Sequence, residues 1–245
     1  MLPEQSAAKA KELLQQALAA LGGKAYLGVR DADCTARLSL FGHGGDLTGY
    51  EYIRDVWKFP SKERTEYSKK GNIIEVFNGN QGWVLDKAGV TEAPAAAVDE
   101  FQEGLKKDID YLLRFRLNEE GMIFRYGGSD IVDLSQVNWV EIVDRDRRTF
   151  RLALDRSTHL PIRAVVITRN PTTRERTEEI DYYSNFHAEG GVQTPFQITR
   201  ERNNLKIYQV FFYGCKYNSG VSDDLFTKAS LEHRYTEVGK KGKKK

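Results

Sequence analysis

Cysteine is scarce in this sequence. Cys34 and Cys215 are the only two in 245 residues, they stand near opposite ends, and no CxxC or His/Cys cluster accompanies either. Zinc sites and thioredoxin-type redox centres need closely spaced ligands or thiols, so the spacing excludes both. A disulfide between the two stays open. The alternation Cys34, Ala36, Leu38, Leu40 favours a buried apolar thiol instead. Apolar runs long enough to cross a bilayer as a helix are also missing. Histidine is sparse. His43, His159, His187 and His233 sit in turns or the tail, without a nucleophile or metal-ligand pattern, and read as surface residues. The carboxylate pairs Asp223-Asp224 and Glu178-Glu179 read as solvated or helix-capping. Neither a catalytic residue nor a metal or cofactor is expected.

Charge of one sign is concentrated rather than abundant. The formal net charge is +2, but five of the 37 basic residues, Lys240, Lys241, Lys243, Lys244 and Lys245, crowd the last six positions. The remaining 32 face 35 acidic residues, so the body has no basic surplus, and no basic stripe interleaves with aromatics. Nucleic acid is therefore not an expected partner. A like-charged tail broken by Gly242 is expected to be disordered over 240–245, beyond a single domain at 1–239. Its functional alternative is transient contact with anionic membranes through those five lysines, worth about 1 kcal/mol per lysine near the surface. The start, Met1-Leu2-Pro3-Glu4-Gln5, has no basic n-region or apolar h-region. That start reads as cytoplasmic if residue 1 is native, or as periplasmic if a signal peptide has been removed.

What the sequence does contain is alternation. From Val140 to Arg200, short stretches of period two follow one another with turn-formers at nearly every join. Phe150, Leu152 and Leu154 alternate with polar neighbours, and Arg156-Ser157-Thr158 leads into Leu160 to Ile167. Ile180 to Phe186 and Thr194 to Ile198 follow. Joins this short make antiparallel neighbours, because parallel crossovers need a dozen or more residues. The same pattern runs from Asp33 to Phe41, from Leu47 to Val56, and on through Asp86, with a turn at residues 78–82. Two long helices are expected, at 6–21 with Leu13, Leu14, Ala17, Leu18 and Leu21 on one stripe, and at about 95–117 with Phe101, Leu105, Ile109 and Leu112.

These elements predict a mainly β (α+β) chain with a single antiparallel sheet of about 10–11 strands and two covering helices. Such a sheet is roughly 50 Å wide at about 4.8 Å per strand, whereas two helices of about 10 Å diameter cover about 20 Å. The uncovered apolar face must pack on itself, accept a partner or enclose an apolar ligand.

The ordered pieces resemble the outer-membrane lipoprotein-carrier and lipoprotein-sorting (LolA/LolB-like) superfamily. The resemblance is carried by the first helix leading into Asp33-Cys34-Thr35-Ala36-Arg37-Leu38, by Phe59-Pro60-Ser61-Lys62-Glu63-Arg64, and by Val76-Phe77-Asn78-Gly79-Asn80-Gln81-Gly82-Trp83-Val84-Leu85-Asp86. Phe150 to Asp155 followed by His159-Leu160-Pro161-Ile162-Arg163, and Ile180 to Phe186 with Gly190-Gly191, continue it. The resemblance implies a curved, unclosed half-barrel around helices, an apolar cavity for acyl chains of lipids or lipoproteins, and no covalent chemistry. Those carriers commonly place a gating arginine directly before the strand proline, and Phe59 stands there in this chain.

The candidate lining of such a cavity is Leu38, Leu40, Tyr50, Tyr52, Trp57, Phe59, Phe77, Trp83, Leu85, Leu112, Leu152, Leu154 and Ile162, with Trp83 and Leu85 expected on the concave side next to Phe77. Each could equally be core, since large aromatics fill the interior of any curved sheet. Two functions follow: a non-catalytic envelope carrier of lipid or lipoprotein acyl chains, or an interaction or sensor protein using the same half-barrel for an apolar segment of a protein partner.

Overall fold

Alternation of side chains across the pleat, broken by short turns, builds thirteen strands among the described residues. A computed structural model describes residues 1–68 and 71–242, with side chains through 237. The strands are β1 Asp31–Phe41, β2 Leu47–Lys58, β3 Lys62–Tyr67, β4 Ile73–Asn78, β5 Gln81–Asp86, β6 Gly89–Glu92, β7 Ile123–Val132, β8 Ser135–Val143, β9 Thr149–Asp155, β10 Pro161–Arg169, β11 Arg176–Glu189, β12 Val192–Arg202 and β13 Leu205–Tyr217. They form one sheet in the order β6-β5-β4-β3-β2-β1-β13-β12-β11-β10-β9-β8-β7. Every neighbour is consecutive in sequence except β1 beside β13, and β6 and β7 are its two edges. The sheet is mainly antiparallel and unclosed, as expected, but larger than the 10–11 strands read from sequence. Part of the excess is β6, which is only four residues long and too short to display a period.

The helices differ more. The first, α1 (Pro3–Ala20), begins with proline in its first turn, where a missing N–H costs nothing, and buries Ala10, Leu13, Leu14 and Ala17. It lies along β7 and β8. A single turn, α2 (Lys24–Leu27), follows. The long helix expected over 95–117 is not continuous. α3 (Ala95–Lys107) stops at Asp108, whose backbone is extended at ψ 130°, and the Asp108 carboxylate accepts a hydrogen bond from the Tyr111 N–H at 2.7 Å. An aspartate in that role starts a new helix. The chain continues as α4 (Ile109–Tyr111) and a π-helical turn, Leu112–Arg116. A further helix was not expected at all: after a 3₁₀ turn at Asp223–Phe226, α5 runs Lys228–Gly242. Lys240 and Lys241, assigned to a disordered tail from the sequence, are part of α5; Lys243, Lys244 and Lys245 lie outside the described residues. Among the described residues no helix is long and apolar enough to cross a membrane.

Two compact units divide the chain. The first comprises Met1–Gly28, Ser39–Gly49 and Leu112–Phe211. Its register aligns Val140, Leu152 and Ala164 in one row and Ile142, Phe150 and Val166 in the next, and none is more than 4% exposed. Rows of this kind on neighbouring strands are the packing unit of a sheet. Alternate positions build a second core on the other face from Val132, Val137, Trp139, Ala153 and Val165. Both faces of β8–β10 therefore carry buried apolar residues, and on the second face half-buried Glu141, Arg151 and Arg163 flank them. The buried Asp144 accepts from Arg116 at 3.0 Å and Arg148 at 3.2 Å, which compensates its charge.

The second unit comprises Val29–Leu38, Tyr50–Tyr111 and Phe212–Lys245. One face of β2–β5 presents Val56, Ile74, Val76 and Leu85, and Phe226 and Leu231 of the C-terminal segment complete that cluster. Arg64, on the same face, is buried and fastens the segment by donating to the Leu225 carbonyl at 3.1 Å and the Ser230 hydroxyl at 3.2 Å, while pairing with Glu66 at 2.8 Å. The two cysteines are not separate thiols. Cys34 and Cys215 form a disulfide, joining β1 to β13 across 181 residues of sequence.

Candidate functional site

The opposite face of β2–β5 is aromatic and acidic at once. Its register sets Trp57 opposite Glu63 and Glu63 opposite Phe77, and in the adjacent row Asp55 opposite Thr65 and Thr65 opposite Glu75. Directly opposed residues on one face lie about 4.5–5.5 Å apart at Cβ, so a carboxylate stands between two large rings. Trp57 stacks with Phe59 at 6.2 Å between centroids and with Phe101 of α3 at 6.3 Å. Phe101 stacks closely with Phe77, at 4.7 Å and 11° between planes. The Gln102 amide of α3 donates to the Gly79 carbonyl, which ties the helix to the β4–β5 turn. Phe77 finds its space because Gly82 faces it: a Cβ at Gly82 would stand 2.9 Å from the Phe77 ring and 2.9 Å from Ala93 Cβ. On the β1 side, Trp57, Phe212 and Tyr217 pack around Ala32 and the disulfide.

Phe101 is buried, whereas Trp57, Phe59 and Phe77 are only half-buried, as are Asp55, Glu63 and Glu75. Protein nevertheless surrounds the carboxylates closely enough to govern their titration. Burial pushes Asp55 up to about 6, against hydrogen bonds from the Trp57 indole N–H (2.8 Å) and the Thr65 hydroxyl (3.3 Å), with nearby Asp33 adding to the rise. Burial, and then the charges of Asp55, Glu75 and Asp108, hold Glu63 well above the usual carboxylate range. Tyr67, donating to Glu75 at 3.0 Å, is pushed upward by burial and by that same carboxylate. Among the described residues, none of Asp55, Glu63 and Glu75 forms an ion pair with an Arg, Lys or His side chain. The three carboxylates are thus partly accessible to solvent, and Asp55 and Glu63 are at the same time desolvated by the protein around them.

This arrangement opposes folding at neutral pH. A carboxyl whose folded pKa is raised contributes its stability below the unfolded value, and that contribution is lost as pH rises through the folded one. Glu63→Gln removes the loss without changing shape. Its melting temperature is expected to exceed that of the wild type at pH 8 and to match it near pH ~4, where the unfolded carboxyl is half-protonated. A variant less stable at pH 8 would show that Glu63 is satisfied as an anion.

Of the residues expected to line a cavity, Trp57, Phe59 and Phe77 come together on this face. Trp83 and Leu85 do not join them. The register pairs Phe77 with Gly82 and Val76 with Trp83, so strict alternation sends Trp83 and Leu85 to the other face, against Phe226 and Leu231. Tyr50 and Tyr52 share the parity of Val56 and are exposed, with Tyr52 stacked on Tyr213 at 6.1 Å. Leu38 is half-buried on β1. Leu40, Leu112, Leu152, Leu154 and Ile162 belong to the first unit. Leu40 is exposed there, Leu112, Leu152 and Leu154 are core, and Ile162 packs against the Trp139 cluster. Sequence reasoning missed Asp55, Glu63 and Glu75. The signal was present in Asp55-x-Trp57 and Glu75-x-Phe77, where acid and ring share a parity. Among the described residues, no group of three or more His, Cys, Asp or Glu side chains could hold a metal ion.

No family model matches the sequence, and no curated protein matches it. Solved structures match it well in shape. A DUF1329 family protein from Desulfovibrio piger superposes with a TM-score of 0.63 at 15% identity, covering 91% of this chain and 98% of that one. An outer membrane lipoprotein-sorting protein domain from Vibrio parahaemolyticus gives 0.59 at 11% identity, covering 94% and 100%. A LolA superfamily protein from Nitrosomonas europaea gives 0.55 at 14% identity, covering 91% and 99%. The chain has a LolA-type fold. At these identities the likeness concerns the backbone alone, so what a LolA-type sheet binds here must be argued from the side chains of the aromatic face.

Proposed function

We propose that this chain is an envelope protein that binds the acyl chain of a lipid or lipoprotein reversibly and without covalent chemistry, on the aromatic face of β2–β4 beneath α3. One observation carries the reading: Trp57, Phe59 and Phe77 are half-accessible while stacked into a continuous apolar surface with Phe101. Recessed apolar surfaces with a few polar groups are the usual form of small-molecule sites. The LolA-type fold supports it, because one of the superposed domains is described as an outer membrane lipoprotein-sorting protein domain. The disulfide supports an oxidising compartment such as the periplasm.

Uncharged n-alkanols of increasing length, titrated against intrinsic tryptophan fluorescence, test the site. Each added methylene buried is worth about 0.8 kcal/mol, so affinity is expected to rise about fourfold per carbon until the site is full. Trp57→Ala should abolish the series. No saturable response at any length, or a series indifferent to Trp57→Ala, overturns the proposal. The second reading, an apolar segment of a protein partner, is favoured by the exposed ring cluster of Tyr50, Tyr52 and Tyr213 on the other face of the sheet.

A further inference from the structure

The aromatic face is set apart from a plain apolar recess by where its charges lie. Glu63 sits in the cross-strand row between Trp57 and Phe77, and Asp55 sits one row away on the same strand as Trp57, held by the Trp57 indole itself. An acyl chain lying on these rings brings whatever group terminates it against those carboxylates. We infer that the site selects its ligand by head-group charge: it takes an apolar chain ending in a cationic group, such as a quaternary or primary ammonium, and rejects the same chain ending in a carboxylate. The inference rests on the acyl-binding reading above and specifies its ligand.

Two features of the face point this way. A cation over the rings of Trp57, Phe59 and Phe77 is attracted by their negative faces, and the attraction grows when the site excludes water. The surrounding charges then reinforce it. From β1 comes Asp33, which is paired with Arg54; from β2, Asp55; from β3, Glu63 with Thr65 and Tyr67; from β4, Glu75; and beyond the end of α3, Asp108. The cations at that end of α3 are Lys106, which pairs with Glu103 at 2.5 Å, and Lys107. Asp33 acts on Asp55, and Asp55, Glu75 and Asp108 act on Glu63, each raising the proton affinity of the carboxyl it faces. A bound cation acts the opposite way and favours the ionised forms of Asp55 and Glu63, and this couples binding to pH.

The experiment compares three twelve-carbon probes below their aggregation concentrations on the intact wild-type chain: dodecyltrimethylammonium, dodecanol and dodecanoate, at pH 7.5. The expected order is the ammonium tightest, the alcohol intermediate and dodecanoate weakest, with at least about tenfold between the first and the last. Because the trimethylammonium charge is fixed, its affinity should fall by about threefold or more from pH 8 to pH 5 while that of dodecanol stays level. Glu63→Gln should bring the ammonium and carboxylate probes to within about threefold of each other. Dodecanoate binding as tightly as the ammonium, or a tenfold preference surviving in Glu63→Gln, overturns the inference and leaves acyl binding standing. If none of the three probes binds, acyl binding fails with it. Should Glu63→Gln fold poorly, the three probes and the pH series on the wild type decide alone.

Discussion

Phe226→Ala is expected to destabilise the protein by about 3–5 kcal/mol, the range for removing a fully buried aromatic side chain and leaving a cavity. Phe226 is completely inaccessible and fills the face of β2–β5 made by Val56, Ile74, Val76 and Leu85. With the ring gone, the Arg64 bonds to the Leu225 carbonyl and the Ser230 hydroxyl lose the packing that keeps water from them. Chemical denaturation monitored by circular dichroism reads the loss directly. Because Phe226 lies on the face opposite Trp57 and Phe77, alkanol affinity measured well below the melting temperature should stay within about twofold of wild type. A drop below 1 kcal/mol would mean that the C-terminal segment is dispensable for the sheet.

The second large effect concerns the disulfide. Replacing both Cys34 and Cys215 by alanine is expected to cost about 2–5 kcal/mol, toward the upper part of that range because the bridge closes a loop between residues 181 apart. The bond stabilises chiefly by limiting the freedom of the unfolded chain, so the loss should appear in wild type as well when reductant is added during unfolding. Denaturation midpoints with and without reductant, for wild type and the double variant, check this: reductant should lower the first and leave the second unchanged. Equal midpoints for all four samples would show that the bridge contributes nothing. Since the bridge touches the packing of Trp57 through Ala32, the double variant should also shift tryptophan emission.

Much of the fold was legible because it is written in a short period. From Asp31 onward nearly every strand shows its alternation, and the turn chemistry between strands leaves antiparallel pairing as the outcome. What was not legible depends on which face a given parity serves. Trp83 and Phe77 occupy adjacent strands and look alike in sequence, yet the register opposes Phe77 to Gly82 and turns Trp83 away. One residue of register reverses a side chain, and the two-residue turn at Gly79-Asn80 sets that register. Asp108 hid the break between α3 and α4, because an aspartate inside an amphipathic stripe is compatible with a continuous helix until its carboxylate is seen to cap the next one. The C-terminal segment escaped notice for a different reason: Leu225, Phe226 and Leu231 are too few among charged and polar neighbours to display a helical stripe, and only the apolar face they cover explains them.

The strand order also bears on how the molecule assembles. Twelve pairings hold the sheet together, and all but β1 with β13 join strands that follow one another in the chain. Eleven of the twelve can therefore form with short-range closures, and β6 with β7 is the one sequential pair the sheet leaves apart. Long-range closure grows costlier only with the logarithm of the separation, yet it must be met before any contact rewards it. The nonlocal part of the strand pairing is thus concentrated in a single ladder, and in the finished protein the Cys34–Cys215 bond lies across that same ladder. In a chain permuted to begin at β7 and end at β6, every pairing other than the new β1–β13 junction would keep its hairpin, and the sheet would read as one uninterrupted meander.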